Sequence, residues 1–279
     1  MKKFLTPEKM QEFERYLRRE ERSEATVEKY MRDVRAFSSF VGKSTVDKQD
    51  VLAYKHSLLD RYTVASANSM IAAMNCFLRF VGCHDVCVKQ FKMQKELYRP
   101  EEKELTKAEY VRLVSAAGAR KNERLGLVIQ TICGTGIRVS ELQYVTVESL
   151  AGGEAVVNCK GKNRRIFIVP ELRKKLARYA KERGITHGAI FVTRGGRPIS
   201  RHTVWREMKS LCADAGVAPG KVFPHNLRHL FARTFYGIEK DIAKLADILG
   251  HASINTTRIY IVTTGAEHKR KMEGMRLIL

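Results

Sequence analysis

Apolar residues recur at helical spacing in the first third of the chain. Intervals of three and four residues place one apolar set on a single helix face, and a second set, which ends at Gly82, follows the same rule. The two sets are Val27, Tyr30, Met31, Val34, Phe37 and Val41, and then Met70, Ile71, Met74, Phe77, Leu78 and Val81. Thr6, followed by Pro7, predicts the start of an earlier helix, because threonine can cap a helix and proline fits its first turn. With a further helix capped by Asp47 or Asp50, the pattern predicts a compact four-helix bundle.

The apolar periodicity stops between Lys89 and Leu105. This stretch is charged, contains one proline and has no apolar repeat, which is typical of a solvated connection. We therefore predict a helical domain over residues 1–94, a linker over residues 95–104 and a second domain over residues 105–279.

The second domain combines helical and strand-like patterns. Thr106 and Glu109 form a capping-box pattern at its start. A buried helix over residues 125–133 leads to Gly134-Thr135-Gly136. The further predicted elements are strands 155–160 and 166–170 joined by a turn at 161–164, a helix over 171–184, a short strand over 190–193, a helix from Ser200 to Gly216, a helical turn after Pro224, and a helix from Glu239 or Asp241 to Gly250. The predicted fold class is therefore mainly α, with a small antiparallel β-sheet in the C-terminal domain.

A large positive charge narrows the choice of partners. The chain has 51 Lys+Arg and 30 Asp+Glu, a formal net charge of +21. Up to Glu104 there are 20 basic and 16 acidic residues, whereas the remainder has 31 and 14, so most of the excess lies in the second domain. Such a charge favours a polyanion, because phosphate contacts release counterions. Candidate DNA contacts on the helix after Ser200 are Arg201, His202, Arg206 and Lys209, although a charge run is more often a solvated face.

Neither the cysteines nor the N-terminus indicates a different class of protein. Only Cys83, His84 and Cys87 lie close together among the six scattered cysteines, and no second Cys/His pair follows at zinc-finger spacing. We therefore expect reduced thiols and no metal site. The N-terminus becomes charged at once and no apolar run reaches membrane-spanning length, so we expect a cytoplasmic protein without signal peptide or membrane partner.

Basic, imidazole and phenol side chains follow turn glycines in the second domain. Arg138 stands two residues after the last glycine of Gly134-Thr135-Gly136, and His225 and Arg228 stand three residues apart on one helix face. Two arginines can clamp one phosphodiester, because guanidinium matches two phosphate oxygens and stays charged. An imidazole beside them can move a proton. Tyr260 can act as a nucleophile if its own proton is removed locally.

Each residue also has a plain structural interpretation. Arg138 can pair with Glu141, and His251 can cap the helix that ends at Gly250. Tyr260, flanked by apolar residues, can be a buried aromatic side chain. Taken together, however, these residues suggest a phosphodiester site.

These residues resemble the tyrosine recombinase (phage integrase) family, whose sites use Arg, Lys, His-x-x-Arg, His or Trp, and Tyr in that order. The corresponding positions are Arg138, Lys160, His225, Arg228, His251 and Tyr260. The N-terminal bundle also resembles the family's core-binding domain. The resemblance implies a site-specific recombinase that cleaves and rejoins double-stranded DNA through a 3′-phosphotyrosine, without a metal or nucleotide cofactor.

The resemblance also implies a role for each position. Tyr260 is the nucleophile, Arg138 and Arg228 stabilise the phosphate, His225 accepts the proton of Tyr260, Lys160 protonates the leaving 5′-oxygen, and His251 donates a hydrogen bond to the phosphate. The family pattern is usually Gly-Lys-Gly, but Cys159 replaces the first glycine and Lys162 follows the second, so Lys162 competes with Lys160 as the acid. Glu141 is expected to orient an arginine or a histidine, and His229 is expected to support the site.

For assembly, the resemblance implies a homotetramer in the synaptic complex and a monomer or dimer in free solution. The apolar C-terminal segment is expected to dock on a neighbouring protomer, or else in cis. The expected role is integration, excision or inversion of a bacterial mobile element. Two alternatives are a type IB topoisomerase, which shares the chemistry, and a catalytically silent DNA-binding protein on the same fold. The N-terminal bundle and the apolar segment favour the recombinase over the first, and the competent residues at all six positions argue against the second.

Overall fold

The computed structural model of the chain describes residues 5–93, 101–159, 162–261 and 273–275. The chain divides into two compact units, Met1–Lys95 and Glu96–Leu279. Residues 95–100 of the predicted linker lie outside the described residues, whereas Glu101–Lys103 form a short 3₁₀ helix.

The N-terminal unit is helical, as predicted. Its helices are α1 (Pro7–Arg19), α2 (Glu24–Val41), α3 (Lys48–Ser57) and α4 (Val64–Phe80), with a 3₁₀ turn at Leu58–Asp60. Thr6 caps α1 with its side chain, and Asp47 and Asp50 form a reciprocal capping box at the start of α3. Helix α2 packs against α1 and α4, and both predicted apolar stripes line the core, where Phe37 and Phe77 are fully buried.

The C-terminal unit is also mainly helical and has its own core. Its helices are α5 (Lys107–Ala119), α6 (Glu123–Thr135), α7 (Val147–Gly152), α8 (Pro170–Glu182), α9 (Arg201–Ser210), α10 (Cys212–Ala215), α11 (Pro224–Glu239), α12 (Ile242–Leu249) and α13 (Ile254–Ile261), with 3₁₀ segments at Val139–Tyr144 and Pro219–Lys221. The predicted capping box of Thr106 and Glu109 starts α5. Helix α6 packs against α5, α8 and α11, and Ile129 and Ile132 are fully buried there. The central position of α6 fixes two of the segments that carry catalytic candidates, its own C-terminal end and helix α11.

Strands β1 (Glu154–Cys159) and β2 (Lys162–Phe167) form the predicted antiparallel hairpin. The predicted turn at 161–164 was too long, because Asn163 and Arg164 belong to β2, where Arg164 pairs with Val157. A strand can accommodate these polar residues because Arg164 finds a carboxylate partner on its inward face.

Two other predicted elements differ from the observed ones, and the helix that carries Tyr260 had no predicted counterpart. The strand predicted at 190–193 is only a pair of isolated bridges, in which Ala189 pairs with Thr146 and Val192 with Pro198. The helix predicted from Ser200 to Gly216 is divided into α9 and α10 at Leu211, although Leu211 keeps helical angles. The segment around Tyr260, for which no element was predicted, is helix α13. None of the helices in the described ranges has both the length and the apolar character needed to cross a membrane.

Candidate active site

Five of the six predicted site residues lie in the described part of the chain. Arg138 follows α6, His225 and Arg228 lie in the first turns of α11, His251 follows α12, and Tyr260 lies near the end of α13. The sixth, Lys160, lies outside the described residues, as does Gly161, and nothing is described of the side chain of Lys162.

The turn that presents Arg138 requires glycine at position 136. Gly136 ends α6 in the left-handed conformation, with φ of +65°. A Cβ atom there would lie 2.5 Å from Cδ1 of Phe231 on α11. The close approach lets the end of α6 lie directly against the helix that carries His225 and Arg228.

Arg228 joins the ends of two helices beneath the site. Its side chain is only 1% exposed. Nη1 donates to the carbonyl oxygen of Gly136 at the end of α6, and Nη2 donates to that of Leu249 at the end of α12, at 2.7 Å. Terminal helix carbonyls lack partners within the helix and carry partial negative charge, so they suit a buried guanidinium. Burial, together with the nearby charges of Arg138 and Arg164, lowers the pKa of Arg228 to about 10, which leaves it charged at neutral pH.

Glu141 holds the second candidate arginine in place. Its carboxylate, 3% exposed, accepts hydrogen bonds from the main chain of Arg138 at 2.9 Å and from Nη1 of Arg138 at 2.8 Å. It also accepts one from Nη2 of Arg164. Burial alone would raise the pKa of Glu141, but the hydrogen bonds from Arg138 and the charges of Arg164 and Arg138 lower it overall, so the carboxylate is ionised. Arg138 remains 40% exposed and accessible to a ligand.

His251 lies between Arg228 and Thr257 in a defined tautomer. Its Nε2 is 3.0 Å from Nη2 of Arg228, and its Nδ1 is 2.8 Å from the Thr257 hydroxyl. Guanidinium can only donate, so Nε2 accepts and the Nδ1 proton points to Thr257. Burial, with the charges of Arg228 and Arg138 next in importance, lowers the pKa of His251 to about 4, in agreement with a neutral ring.

Tyr260 lies among three imidazoles. The centroid of its ring is 4.2 Å from that of His229, 5.3 Å from that of His225 and 5.2 Å from that of His251. The guanidinium carbon of Arg228 is 6.0 Å from the same ring centroid. The phenol is therefore buried beside groups that can accept its proton and beside a fixed positive charge.

Two residues of this arrangement were not identified as site residues from the sequence. Arg164 was assigned to a turn, although its distance of two residues from Ile166 would have placed it on the inward face of β2. Thr257 was not singled out at all. Within the described ranges, no three His, Cys, Asp or Glu residues are grouped closely enough to hold a metal ion.

Comparisons with known proteins match both units. The model of the Phage integrase family matches residues 103–266, and that of the Phage integrase N-terminal SAM-like domain matches residues 10–82. The chain is 29% identical over 286 residues to tyrosine recombinase XerA of Pyrococcus furiosus, covering 99% of this chain and 96% of that protein. It is 30% identical over 277 residues to XerA of Thermococcus kodakarensis, covering 95% and 94%. The crystal structure of a lambda integrase dimer bound to a COC′ core site shares the fold over 92% of this chain and 95% of that chain, with a TM-score of 0.75 and 19% identity.

Proposed function

The chain belongs to the phage integrase family and is a site-specific tyrosine recombinase that cleaves and rejoins DNA, and we propose that the residues grouped around α11 are its catalytic site. The observation that carries this proposal is the position of Tyr260. Its ring lies 5.3 Å from that of His225, and its centroid lies 6.0 Å from the guanidinium carbon of Arg228. A proton acceptor and a phosphate-binding group thus both lie next to the candidate nucleophile.

In the proposed reaction, the phenol oxygen of Tyr260 attacks the scissile phosphorus. The new bond is a 3′-phosphotyrosine, and the bond that breaks releases the 5′-oxygen of the next nucleotide. His225 accepts the phenol proton, and Lys160 supplies a proton to the leaving oxygen. The hydroxyl of a partner strand later attacks the phosphotyrosine and restores a phosphodiester, so no nucleotide cofactor is needed.

The two arginines stabilise the pentacoordinate phosphate in this proposal. Loss of a single positioned donor of this kind costs about 10²–10³ in rate. Arg138 is exposed enough to meet DNA directly, whereas Arg228 is buried and bonded to helix carbonyls. The phosphate must therefore approach Arg228 from the side of Tyr260, whose ring centroid lies 6.0 Å from the guanidinium carbon of Arg228.

His251 can assist by donating a hydrogen bond, but it needs the other tautomer to do so. In the observed arrangement its Nε2 accepts from Arg228. When Nε2 carries the proton instead, Nδ1 becomes an acceptor, and the Thr257 hydroxyl can reverse its own direction because a hydroxyl both donates and accepts. Thr257 therefore supports either state of the imidazole.

We further propose double-stranded recombination sites as the substrate, bound by residues 1–94 and 105–279 on either side of the 95–104 linker. The lambda integrase neighbour is bound to a core site in its crystal structure, and the net charge of +21 suits a polyanion. The proposed assembly is a homotetramer in the synaptic complex, formed from monomers or dimers. A related structure is that of the Tn1549 transposon integrase, in agreement with a role on a mobile element. The comparisons favour neither a topoisomerase nor a silent binding protein.

A nicked suicide substrate tests the site directly. The substrate is DNA of the genomic sequence next to the gene, with a nick a few nucleotides 3′ of the scissile phosphate. On cleavage the short fragment that carries the free 5′-hydroxyl diffuses away, which traps the phosphotyrosine. We expect a covalent protein–DNA band on a denaturing gel for the wild type and none for Tyr260→Phe, with equal DNA binding by both. The band should persist in EDTA. Binding without a band in either protein would overturn the proposal, and loss of the band in EDTA would overturn its metal-free step.

A further inference from the structure

Arg164 points inward from a strand whose next residue points outward. Its strand partner is Val157, which is fully buried, and the Arg164 side chain is 11% exposed. Arg165, one position later, is 72% exposed and pairs with Glu154. The strand thus places two arginines in opposite environments, and only Arg164 faces the candidate site.

Three contacts join Arg164 to two catalytic segments. Nη2 donates to the carboxylate of Glu141, which in turn binds Arg138. Nη1 donates to the carbonyl oxygen of Ile248 in the last turn of α12, at 2.7 Å. Its aliphatic stem packs so tightly on Gly250 that a Cβ atom there would collide with the Cδ of Arg164. Gly250 directly precedes His251, so the same side chain supports the segment that carries this histidine.

These contacts fix the positions of Glu141 and Arg138. We expect that placement to affect the rate of DNA cleavage more than the stability of the fold. A buried ion pair repays its desolvation cost poorly, so it is weak evidence for a stabilising role. A misplacement of catalytic groups by about 1 Å, however, can cost about a hundredfold in rate. Glu141 has guanidinium groups on two sides, and loss of one lets the carboxylate and the bound Arg138 shift.

We propose that Arg164 is a positioning residue that fixes Arg138, through Glu141, and the end of α12 against strand β2 for cleavage by Tyr260. Arg164 touches neither the phosphate nor the nucleophile in this proposal. Lys160 directly follows β1, and the pair of Arg164 with Val157 lies two pairs before the end of the ladder at Cys159 and Lys162. The same contacts therefore anchor the hairpin near the end from which this lysine continues. The inference rests on the proposed function of the site.

The test compares Arg164→Met with Arg165→Met, a matched change on the opposite face of the same strand. The rate constant for covalent-complex formation is measured in single turnovers at saturating nicked DNA, and DNA affinity is measured separately. We expect Arg164→Met to lower the rate constant by about ten- to a hundredfold, with affinity within about twofold. Arg165→Met should leave the rate constant unchanged. A purely structural role would lower the fraction of active protein and not its rate constant.

Two further variants keep the test decisive. Arg164→Lys retains charge but reaches only one acceptor, so its rate should lie between those of Arg164→Met and the wild type, even if the methionine variant folds poorly. In a Glu141→Gln background, Arg164→Met should cause little further loss, because both act on Arg138 by one route. A wild-type rate for Arg164→Met, equal losses in both methionine variants, or full additivity with Glu141→Gln would overturn the inference. Failure of the wild type to form the complex would instead overturn the proposed function.

Discussion

At the scale of single residues, the site depends on side chains that each bind two partners. Arg228 holds the ends of α6 and α12, and Glu141 holds two arginines. His251 connects Arg228 to Thr257. The sequence could propose the residues that carry reactive groups, because their types and spacing are distinctive. It could not identify Thr257 or Arg164 as partners, because their roles depend on distances that only the folded chain defines.

Thr257 gives the first residue-scale prediction. Its hydroxyl is the partner of His251 Nδ1, and the residue is fully buried. Thr257→Val has nearly the same shape but can neither accept nor donate, so it leaves Nδ1 unpaired in both tautomers. We expect covalent-complex formation on nicked DNA to slow by about tenfold, roughly the value of one neutral hydrogen bond.

The control variants for this prediction are Thr257→Ser and Thr256→Val. Serine keeps the hydroxyl and should retain most of the rate, and the neighbouring Thr256 is exposed, so its replacement should have no effect. Equal rates for Thr257→Val and Thr257→Ser at saturating DNA would show that the hydroxyl does not act through His251.

At the scale of whole elements, apolar periodicity predicted the helices reliably, whereas secondary structure in polar segments was predicted poorly. The helices with apolar stripes, such as α2 and α4, and the caps of α1, α3 and α5 were predicted because local physics fixes them. The polar start of β2 was predicted as a turn, because its strand conformation depends on a distant carboxylate. Helix α13 was missed for a similar reason, since it packs through Tyr260 against a small cluster on α11 and α12.

Helix α9 provides an element-scale prediction about DNA. Its outward side chains include Arg201, His202, Trp205 and Arg206, while Val204 and Met208 pack into the core. If Arg206 contacts a phosphate, Arg206→Ala should weaken binding and make the slope of log Kd against log salt shallower by about one. Trp205→Ala removes no charge, so any loss of affinity should leave that slope unchanged.

Arg178 on α8 supplies the control for charge alone. Its side chain is exposed, and its Nη2 lies 3.6 Å from Oε1 of Glu123. We expect Arg178→Ala to change neither the affinity for DNA nor the slope of log Kd against log salt. Measurements of Kd at several salt concentrations distinguish the loss of a phosphate contact at Arg206 from the loss of an exposed charge alone. Equal slope changes for Arg206→Ala and Arg178→Ala would mean that α9 has no special part in binding.

At the scale of the whole molecule, the two units have separate hydrophobic cores. The cluster around Phe13, Phe37 and Phe77 belongs entirely to the N-terminal unit. The cluster around Ile129 and the smaller one around Tyr260 belong to the C-terminal unit. A unit with its own core is expected to fold alone.

A fragment of residues 96–279 should therefore fold and react without the N-terminal unit. It contains all six proposed catalytic positions, so we expect a Tyr260-dependent covalent complex on nicked DNA. The reaction should require a higher DNA concentration, because the contacts of the N-terminal unit are lost. An unfolded fragment would contradict the independence of the two cores.

The exact start of that fragment should matter, because residues 104 and 105 are built into the C-terminal unit. Leu105 is fully buried, and the carboxylate of Glu104 accepts a hydrogen bond from Arg233 on α11. Arg233 also donates to the carbonyl oxygen of Leu105, at 2.8 Å. A fragment that starts at residue 106 loses the burial of one leucine, about 2 kcal/mol, and leaves the Arg233 charge without these partners. We expect its thermal midpoint to lie at least about 4–8 °C below that of the 96–279 fragment, as measured by circular dichroism. Equal midpoints would show that the segment before α5 contributes nothing to the stability of the catalytic unit.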